Sequence, residues 1–361
     1  MKRFITLAFA AIVLFSQYAD GQSKKGAASP QVKNVILMIG DGMGVSQMYA
    51  GLTANKGSLN IERCTHTGFS KTYSADNYVT DSGAGGTAIA CGVKTNNGAI
   101  GVDAEGKPVK SMLEYAAQNG LSTGIVVSCD ATHATPASFI AHRANRSMEE
   151  DIALDYLETD FTVFIGGGRK RFEERSDKTN LTEKLKAKDY QVTYTLDEAK
   201  KVKSGKLMAF VADKHPAAYP ERGELLPEGL ATALNILKRN DKGFFLMVEG
   251  SQIDWACHDN NQKALENEIL DFDRTIKVAF DFAAKNPGTL VVITADHETG
   301  GVALNKGNMA KGELTAAFTT KGHTGVMVPI FAFGAGAEKF TGIQENTDFL
   351  RKILELYGIN K

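Results

Sequence analysis

The stretch FFLMVEGSQIDWACH, residues 244–258, decides the fold class of this 361-residue chain. Its first five residues form a short apolar run, which is typical of a strand buried on both faces of a parallel sheet. Glu249 then lies at the carboxyl end of that strand, where open α/β folds bind their ligands. If the chain turns helical after Gly250, Asp254 and His258 share one helix face and can bind the same cation.

The same pattern recurs at other apolar runs of the chain. Further runs lie at residues 35–39, 125–128, 162–165, 290–294 and 328–333. Asp41 follows the first of them, Asp296 and His297 follow the fourth, and a glycine-flanked His323 precedes the last. Amphipathic stretches typical of helices separate the runs. We therefore predict an α/β fold in which a doubly wound, mostly parallel central sheet carries helices on both faces.

The turn GDGMG at residues 40–44 carries Asp41 between two glycines. Its spacing is not the G-x-G-x-x-G of dinucleotide-binding proteins, and an acid at this place would repel a pyrophosphate. The glycines instead allow the backbone to approach a metal ion closely, with Asp41 as a ligand. The alternative is that Asp41 only caps the helix that follows.

The amino-terminal residues have the composition of an export signal. A basic start precedes the apolar residues 4–15, and small residues allow cleavage after Gly21. We expect a signal peptide at residues 1–21, a flexible leader at 22–33, a single domain at 34–361 and a periplasmic or secreted protein. The formal net charge of −1 offers no basic surface for nucleic acid, and the apolar run is too short to anchor the protein in a membrane.

A run of small residues at positions 80–92 predicts a tightly packed helix that opens near Asp81. Ser82 then lies at the helix N-terminus, where a serine is ordinarily a cap. Backbone N–H groups and the helix dipole also stabilise an anion there, and a metal ion could hold the hydroxyl as an alkoxide. Both interpretations of Ser82 stay open at this point.

The segment that follows residues 125–128 carries two arginines. Thr135 before a proline fits the first positions of a helix, which we expect to continue through Arg143 and Arg146. The arginines are either surface charges or the planar forks that a phosphoryl or carboxylate group requires.

Acidic and imidazole side chains thus collect at three predicted strand ends. They are Asp41, Glu249, Asp254, His258, Asp296 and His297, with His323 before a fourth strand. Mixed aspartate and histidine ligands suit Zn²⁺, whereas oxygen ligands alone suit Mg²⁺. Two metal ions together with a serine and an arginine are the components of phosphoryl transfer.

Taken together, these residues resemble the alkaline phosphatases, and most of all the small bacterial members. The matching segments are GDG at 40–42, DSG at 81–83, HATP at 133–136, EG at 249–250 with Asp254 and His258, ADHETGG at 295–301 and GH at 322–323. Their order and spacing match together from Asn34 onward, so the resemblance is specific. It implies phosphate monoesters as substrates and a possible homodimer.

The resemblance also implies a role for each matched residue. Ser82 is expected to be the nucleophile that becomes phosphoserine, and Arg146 to bind the non-reacting phosphate oxygens. The expected ligands are Asp254, His258 and His323 for a first Zn²⁺, Asp41, Asp296 and His297 for a second Zn²⁺, and Asp41, Thr135 and Glu249 for one Mg²⁺. His133 and Trp255 stand where the best-known enterobacterial enzyme has aspartate and lysine. We expect these two residues to alter phosphate binding and the metal preference of the third site.

Three other functions compete with this interpretation. A sulfatase of the same superfamily requires C-x-P-x-R spacing at its nucleophile, which residues 82–86 lack. A phosphodiesterase of that superfamily remains an alternative. A non-catalytic periplasmic metal-binding protein would explain the ligands but would leave Ser82 and Arg146 without a role.

Overall fold

A computed structural model describes residues 31–360, so the predicted signal peptide and most of the leader lie outside the described residues. Its strands are β1 Asn34–Gly40, β2 His66–Lys71, β3 Ser122–Asp130, β4 Val163–Gly167, β5 Tyr190–Thr193, β6 Lys206–Ala212, β7 Phe244–Gly250, β8 Thr289–Thr294, β9 Glu298–Thr299, β10 Val302–Asn308, β11 Glu313–Phe318, β12 His323–Thr324, β13 Val328–Gly334 and β14 Gly342–Glu345. Its α-helices are α1 Val45–Ala54, α2 Ser82–Cys91, α3 Met112–Gln118, α4 Ala134–Ala137, α5 Glu149–Glu158, α6 Arg169–Glu173, α7 Leu181–Ala187, α8 Leu196–Ala199, α9 Leu225–Leu237, α10 Gln252–His258, α11 Gln262–Lys285 and α12 Asp348–Tyr357. No helix of this part of the chain is both long and apolar enough to cross a bilayer.

Ten strands form one large sheet in the order β14-β2-β13-β8-β1-β7-β3-β4-β6-β5. Every neighbouring pair in it is parallel except the two pairs of β13, which runs antiparallel to β2 and to β8. The prediction of a mostly parallel α/β sheet is confirmed. The strands predicted from apolar runs occupy the middle of this sheet.

Helices cover both faces of the sheet, as residues of β1 show. Ile36 and Met38 belong to a core that includes residues of α1, α9 and α11. Leu37 and Ile39 belong to a second core that includes residues of α2, α3 and α12. Because successive side chains of a strand point to opposite faces, both faces of β1 are buried, which explains why its apolar run is continuous.

The small residues of α2 allow this helix to pack closely against its neighbours. All of its residues are buried. A Cβ added at Gly85 would lie 3.0 Å from the carbonyl oxygen of Asp296, and one at Gly86 would lie 2.9 Å from Ser138 Oγ. The close approach places the N-terminus of α2, with Ser82, beside the residues that follow β8.

The prediction of one helix from Thr135 through Arg146 is wrong. The helix α4 ends at Ala137, and Arg143 instead pairs with Ile100 in an antiparallel bridge with two backbone hydrogen bonds of 2.8 Å. The bridge satisfies backbone groups that a continued helix would have to satisfy internally. Arg146 therefore lies in an irregular segment, where its own N–H donates to Gly98.

Candidate active site

The carboxyl ends of adjacent parallel strands bring the predicted acids together. The strands β8, β1 and β7 lie side by side, and β3 follows next to β7. Asp41 follows β1 directly, Glu249 is the penultimate residue of β7, and Asp296 lies two residues beyond β8. The segment after β3 carries His133 and, in the short helix α4, Thr135. The candidate ligands predicted at strand ends thus lie together at one edge of the sheet, as expected for an open α/β fold.

Asp41, Asp296 and His297 form a fully buried cluster whose ligand atoms lie within 4.8 Å of one another. His297 Nε2 is 3.3 Å from Asp296 Oδ2 and 3.4 Å from Asp41 Oδ1. Both oxygens of Asp41 and Oδ2 of Asp296 have no hydrogen-bond partner among residues 31–360. Burial and the neighbouring carboxylates raise the pKa of Asp41 well above its ordinary value. Unpaired buried carboxylates are costly, so this cluster fits a divalent cation.

Asp254, His258 and His323 form a second cluster. His258 Nε2 lies 3.2 Å from Asp254 Oδ2 and 3.2 Å from His323 Nε2. The other nitrogen of each ring faces a backbone carbonyl, since His258 Nδ1 donates to Lys321 O and His323 Nδ1 donates to Thr80 O at 2.9 Å. A carbonyl only accepts, so each Nε2 is left to bind a cation. The hydrogen bond to Asp254 raises the pKa of His258 to about 9, whereas burial lowers the pKa of His323 to about 4.

Ser82 lies next to the first of these clusters. Its Oγ is 3.1 Å from His297 Nε2, and the side chain is buried at the first turn of α2. Asp81 caps that helix, and its Oδ1 accepts the N–H groups of Ala84 and Gly98, each at 2.9 Å. The cap of this helix is therefore Asp81 and not Ser82, so capping does not occupy the Ser82 hydroxyl.

Arg146 is tied to the residue that precedes Ser82. Its Nη1 donates to Asp81 Oδ2 at 3.0 Å, and its Nη2 lies 3.4 Å from His133 Nε2. Arg143, the other candidate, donates from Nε to Asp155 at 2.8 Å instead. Burial, together with the adjacent Arg146, lowers the pKa of His133 to about 3, so this imidazole is neutral. Of the two arginines, only Arg146 pairs with Asp81, the residue that precedes Ser82.

A third cluster surrounds Glu249. Its Oε2 accepts Ser251 Oγ at 2.7 Å and Cys129 Sγ at 3.3 Å, whereas its Oε1 has no partner among the described residues. Thr135 Oγ1 and His133 Nδ1 are unpartnered in the same way. Burial raises the pKa of Glu249 to about 7. Unsatisfied buried oxygens of this kind fit a cation that prefers oxygen ligands.

Two residues of this region were missed from sequence. Cys129 donates to Glu249, and no C-x-x-C spacing pointed to it. His215 lies after β6, its Nδ1 accepts the N–H of Asp130 at 3.0 Å, and its ring centroid is 4.7 Å from that of Trp255. The only signal for His215 was that it is one of seven histidines in the chain.

The chemistry open to these groups is narrow. The Ser82 hydroxyl at the N-terminus of α2 lies 3.1 Å from His297 of the first cluster. The rings of His297 and His323 stack at 3.5 Å and connect the first cluster to the second. Cations so placed stabilise the attacking and leaving oxygens of a displacement at phosphorus. The class of protein defined by this fold and site is a metal-dependent phosphatase.

Comparison with known proteins gives the family. Residues 32–315 match the model of the alkaline phosphatase family. The chain is 34% identical to alkaline phosphatase 4 of Bacillus subtilis, over 96% of this chain and 93% of the relative. It is 30% identical to the alkaline phosphatase of Escherichia coli K12, over 91% and 86% of the two chains. The structure of the alkaline phosphatase from the Antarctic bacterium TAB5 superposes with a TM-score of 0.86 and 40% identity, covering 92% of this chain and 100% of that one. The chain belongs to the alkaline phosphatase family.

Family membership confirms the resemblance and the prediction of an enzyme. It gives no support to the alternative of a non-catalytic metal-binding protein. The roles of individual residues, the identity of each metal ion and the phosphoserine stay predictions.

Proposed function

We propose that this protein hydrolyses phosphate monoesters through a phosphoserine intermediate at a site for two Zn²⁺ and one Mg²⁺. One observation carries the proposal: Ser82 Oγ lies 3.1 Å from His297 Nε2, at the N-terminus of a buried helix. The names of the relatives, all alkaline phosphatases, support the same reaction.

The donor atoms of each cluster support the assignment of the metal ions. Asp254, His258 and His323 would hold one Zn²⁺, Asp41, Asp296 and His297 the other, and Asp41, Thr135 and Glu249 the Mg²⁺. The first two sets mix imidazole nitrogen with carboxylate oxygen, as Zn²⁺ prefers, and the third offers oxygen alone, as Mg²⁺ prefers. When bound, the cations polarise the attacking and leaving oxygens and lower the pKa of water.

The side chains of the protein perform a double displacement. Ser82 Oγ forms a bond to phosphorus as the bond from phosphorus to the ester oxygen breaks, and the alcohol leaves with a proton. Water then attacks the phosphoserine, which restores the Ser82 hydroxyl and releases inorganic phosphate. Arg146 binds the non-reacting oxygens through its planar fork, and the N–H groups at the start of α2 stabilise their charge. His133 and Trp255 line the phosphate side.

The test uses Ser82→Ala with Ser147→Ala, an exposed serine outside the site, as the matched control. Ser82→Ala should lower hydrolysis of p-nitrophenyl phosphate by orders of magnitude, while zinc and magnesium contents stay at wild-type values. Turnover close to wild type would exclude Ser82 as the nucleophile. Faster cleavage of bis(p-nitrophenyl) phosphate than of the monoester would favour the phosphodiesterase alternative, and cleavage of the sulfate ester would favour a sulfatase.

We also propose export and test it separately. The export signal predicted at residues 1–21 should be absent from protein recovered outside the cytoplasm, as amino-terminal sequencing would show. The homodimer implied by the family resemblance is tested by sedimentation equilibrium of the mature chain.

A further inference from the structure

Three aromatic rings and a guanidinium form one cluster at the side of the site. Arg146 Nη2 lies 3.4 Å from His133 Nε2. The rings of His133 and Trp255 meet at 5.8 Å with an interplanar angle of 77°, and those of Trp255 and His215 meet at 4.7 Å with an angle of 76°. His133 and His215 also meet edge to face, at 5.8 Å. The three rings therefore form a triangular cluster in which the indole contacts two imidazoles edge to face, in the geometry that aromatic pairs prefer.

The backbone of β3 holds the ring of His215 in place. Its Nδ1 accepts the N–H of Asp130 at 3.0 Å, and a backbone N–H only donates. The proton of the neutral ring is therefore on Nε2. Burial lowers the pKa of His215, which favours this neutral form. One tautomer and one ring orientation satisfy both the hydrogen bond and the contact with Trp255.

The loop that carries His215 is fastened to the helix that carries Trp255. Gln252 Nε2 donates to Pro216 O at 3.0 Å and to Ala217 O at 3.4 Å. Gln252 and Trp255 are three residues apart in α10, so both lie on the same side of that helix. His215 and the indole are therefore fixed relative to each other.

We infer that His215 is a positioning residue that holds the indole of Trp255 in one orientation and thereby sets how tightly the site binds phosphate. The inference rests on the proposed function, because it takes Arg146, His133 and Trp255 as the phosphate side. An indole that contacts only one imidazole has more rotational freedom. Ordering it again on binding costs free energy, so phosphate is bound more weakly.

Tryptophan fluorescence tests whether His215 holds the indole, because Trp255 is the only tryptophan of the chain. Two variants separate the two contacts of His215. His215→Asn keeps a hydrogen-bond acceptor near the position of Nδ1 but removes the ring, and His215→Phe keeps a ring but removes the acceptor. His66→Asn, on strand β2 far along the sheet, is the matched control. Emission maximum and anisotropy report on the indole, and titration with inorganic phosphate reports on binding without any turnover.

His215→Asn should lower the anisotropy of Trp255 and weaken phosphate binding roughly three- to tenfold, the size expected for one aromatic contact. His215→Phe should stay within about twofold of wild type in both readings, because the ring contact carries the effect. The control should match wild type.

Unchanged anisotropy and unchanged phosphate affinity in His215→Asn would overturn the inference. A loss of phosphate affinity with unchanged anisotropy of Trp255 would overturn it too. If His215→Phe fails to fold, the comparison of His215→Asn with the His66→Asn control still tests whether His215 positions the indole. A wild-type protein that binds no phosphate refutes the proposed function, while the anisotropy still tests the positioning of Trp255.

Discussion

Removal of the metal ions should make the stability of the folded protein depend on the ionisation of Glu249. Its pKa in the metal-free fold is about 7, against an ordinary value of 4.5, because the carboxyl is buried. A group whose pKa is raised on folding contributes stability that is present below its unfolded pKa and is lost as pH rises through the folded pKa. The difference from 4.5 to about 7 corresponds to roughly 3 kcal/mol, at ~1.4 kcal/mol for each pKa unit.

The assay compares metal-free wild type with metal-free Glu249→Gln by urea unfolding from pH 5 to pH 8. Glutamine keeps an acceptor for Ser251 but carries no charge. The titration of the histidines is common to both proteins and cancels, so the difference between their free energies of unfolding gives the contribution of Glu249 ionisation. Over this range wild type should lose roughly 2–3 kcal/mol relative to the variant. Zn²⁺ and Mg²⁺ should abolish the loss. The exposed Glu158→Gln is the matched control and should follow wild type. A difference that stays constant with pH would refute the reasoning.

Three further predictions concern Arg146, the two unusual site residues and a histidine away from the site. Arg146→Lys keeps the charge but loses the fork, so steady-state kinetics should show kcat/KM lower by roughly tenfold or more, about 1–3 kcal/mol; an unchanged value would remove Arg146 from phosphate binding. His133→Asp should increase activation by added Mg²⁺, and Trp255→Lys should lower the inhibition constant for inorganic phosphate; titration curves that superimpose on wild type would show that neither residue tunes the site. His142 donates to a backbone carbonyl at 2.7 Å and faces Glu114 Oε1 at 3.2 Å, and the contact with Glu114 raises its pKa. The stability that His142 adds should therefore be full below pH 6.5 and be lost at higher pH, so the advantage of wild type over His142→Gln in urea unfolding should shrink from pH 6 to pH 9; an advantage that grows would contradict this.

The central strands could be predicted because burial on both faces requires a continuous run of apolar residues in the sequence. Every residue of β8 is buried, and residues 290–293 are apolar. The acid that follows such a strand is therefore expected at the edge of the sheet. The outer strand β2 alternates between buried and exposed residues, β14 has a single buried residue, and most residues of β10 are exposed. They carry no continuous apolar run, which is why they were missed.

The placement of the two arginines shows where local pattern stops being informative. Arg143 and Arg146 are three residues apart, and a helix would have put them on one face. The bridge between Arg143 and Ile100 turns the chain instead, so that one guanidinium pairs with Asp155 and the other with Asp81. Ile100 is distant in sequence, and no pattern within residues 132–146 records that it will pair there.

Contacts still further away in the sequence decide which nitrogen of each imidazole is free to bind a cation. Positions near strand ends and flanking glycines suggest His258 and His323 as ligands, but the spacing of residues does not indicate which ring nitrogen carries the proton. The carbonyl that accepts from His258 Nδ1 belongs to Lys321, 63 residues away, and the one that accepts from His323 Nδ1 belongs to Thr80, 243 residues away. These backbone atoms cannot be changed by side-chain substitution, so the orientation of both rings persists as long as the surrounding fold does. Local spacing thus indicates the candidate ligands, and the tertiary fold decides which ring nitrogen of each candidate is free to bind a cation.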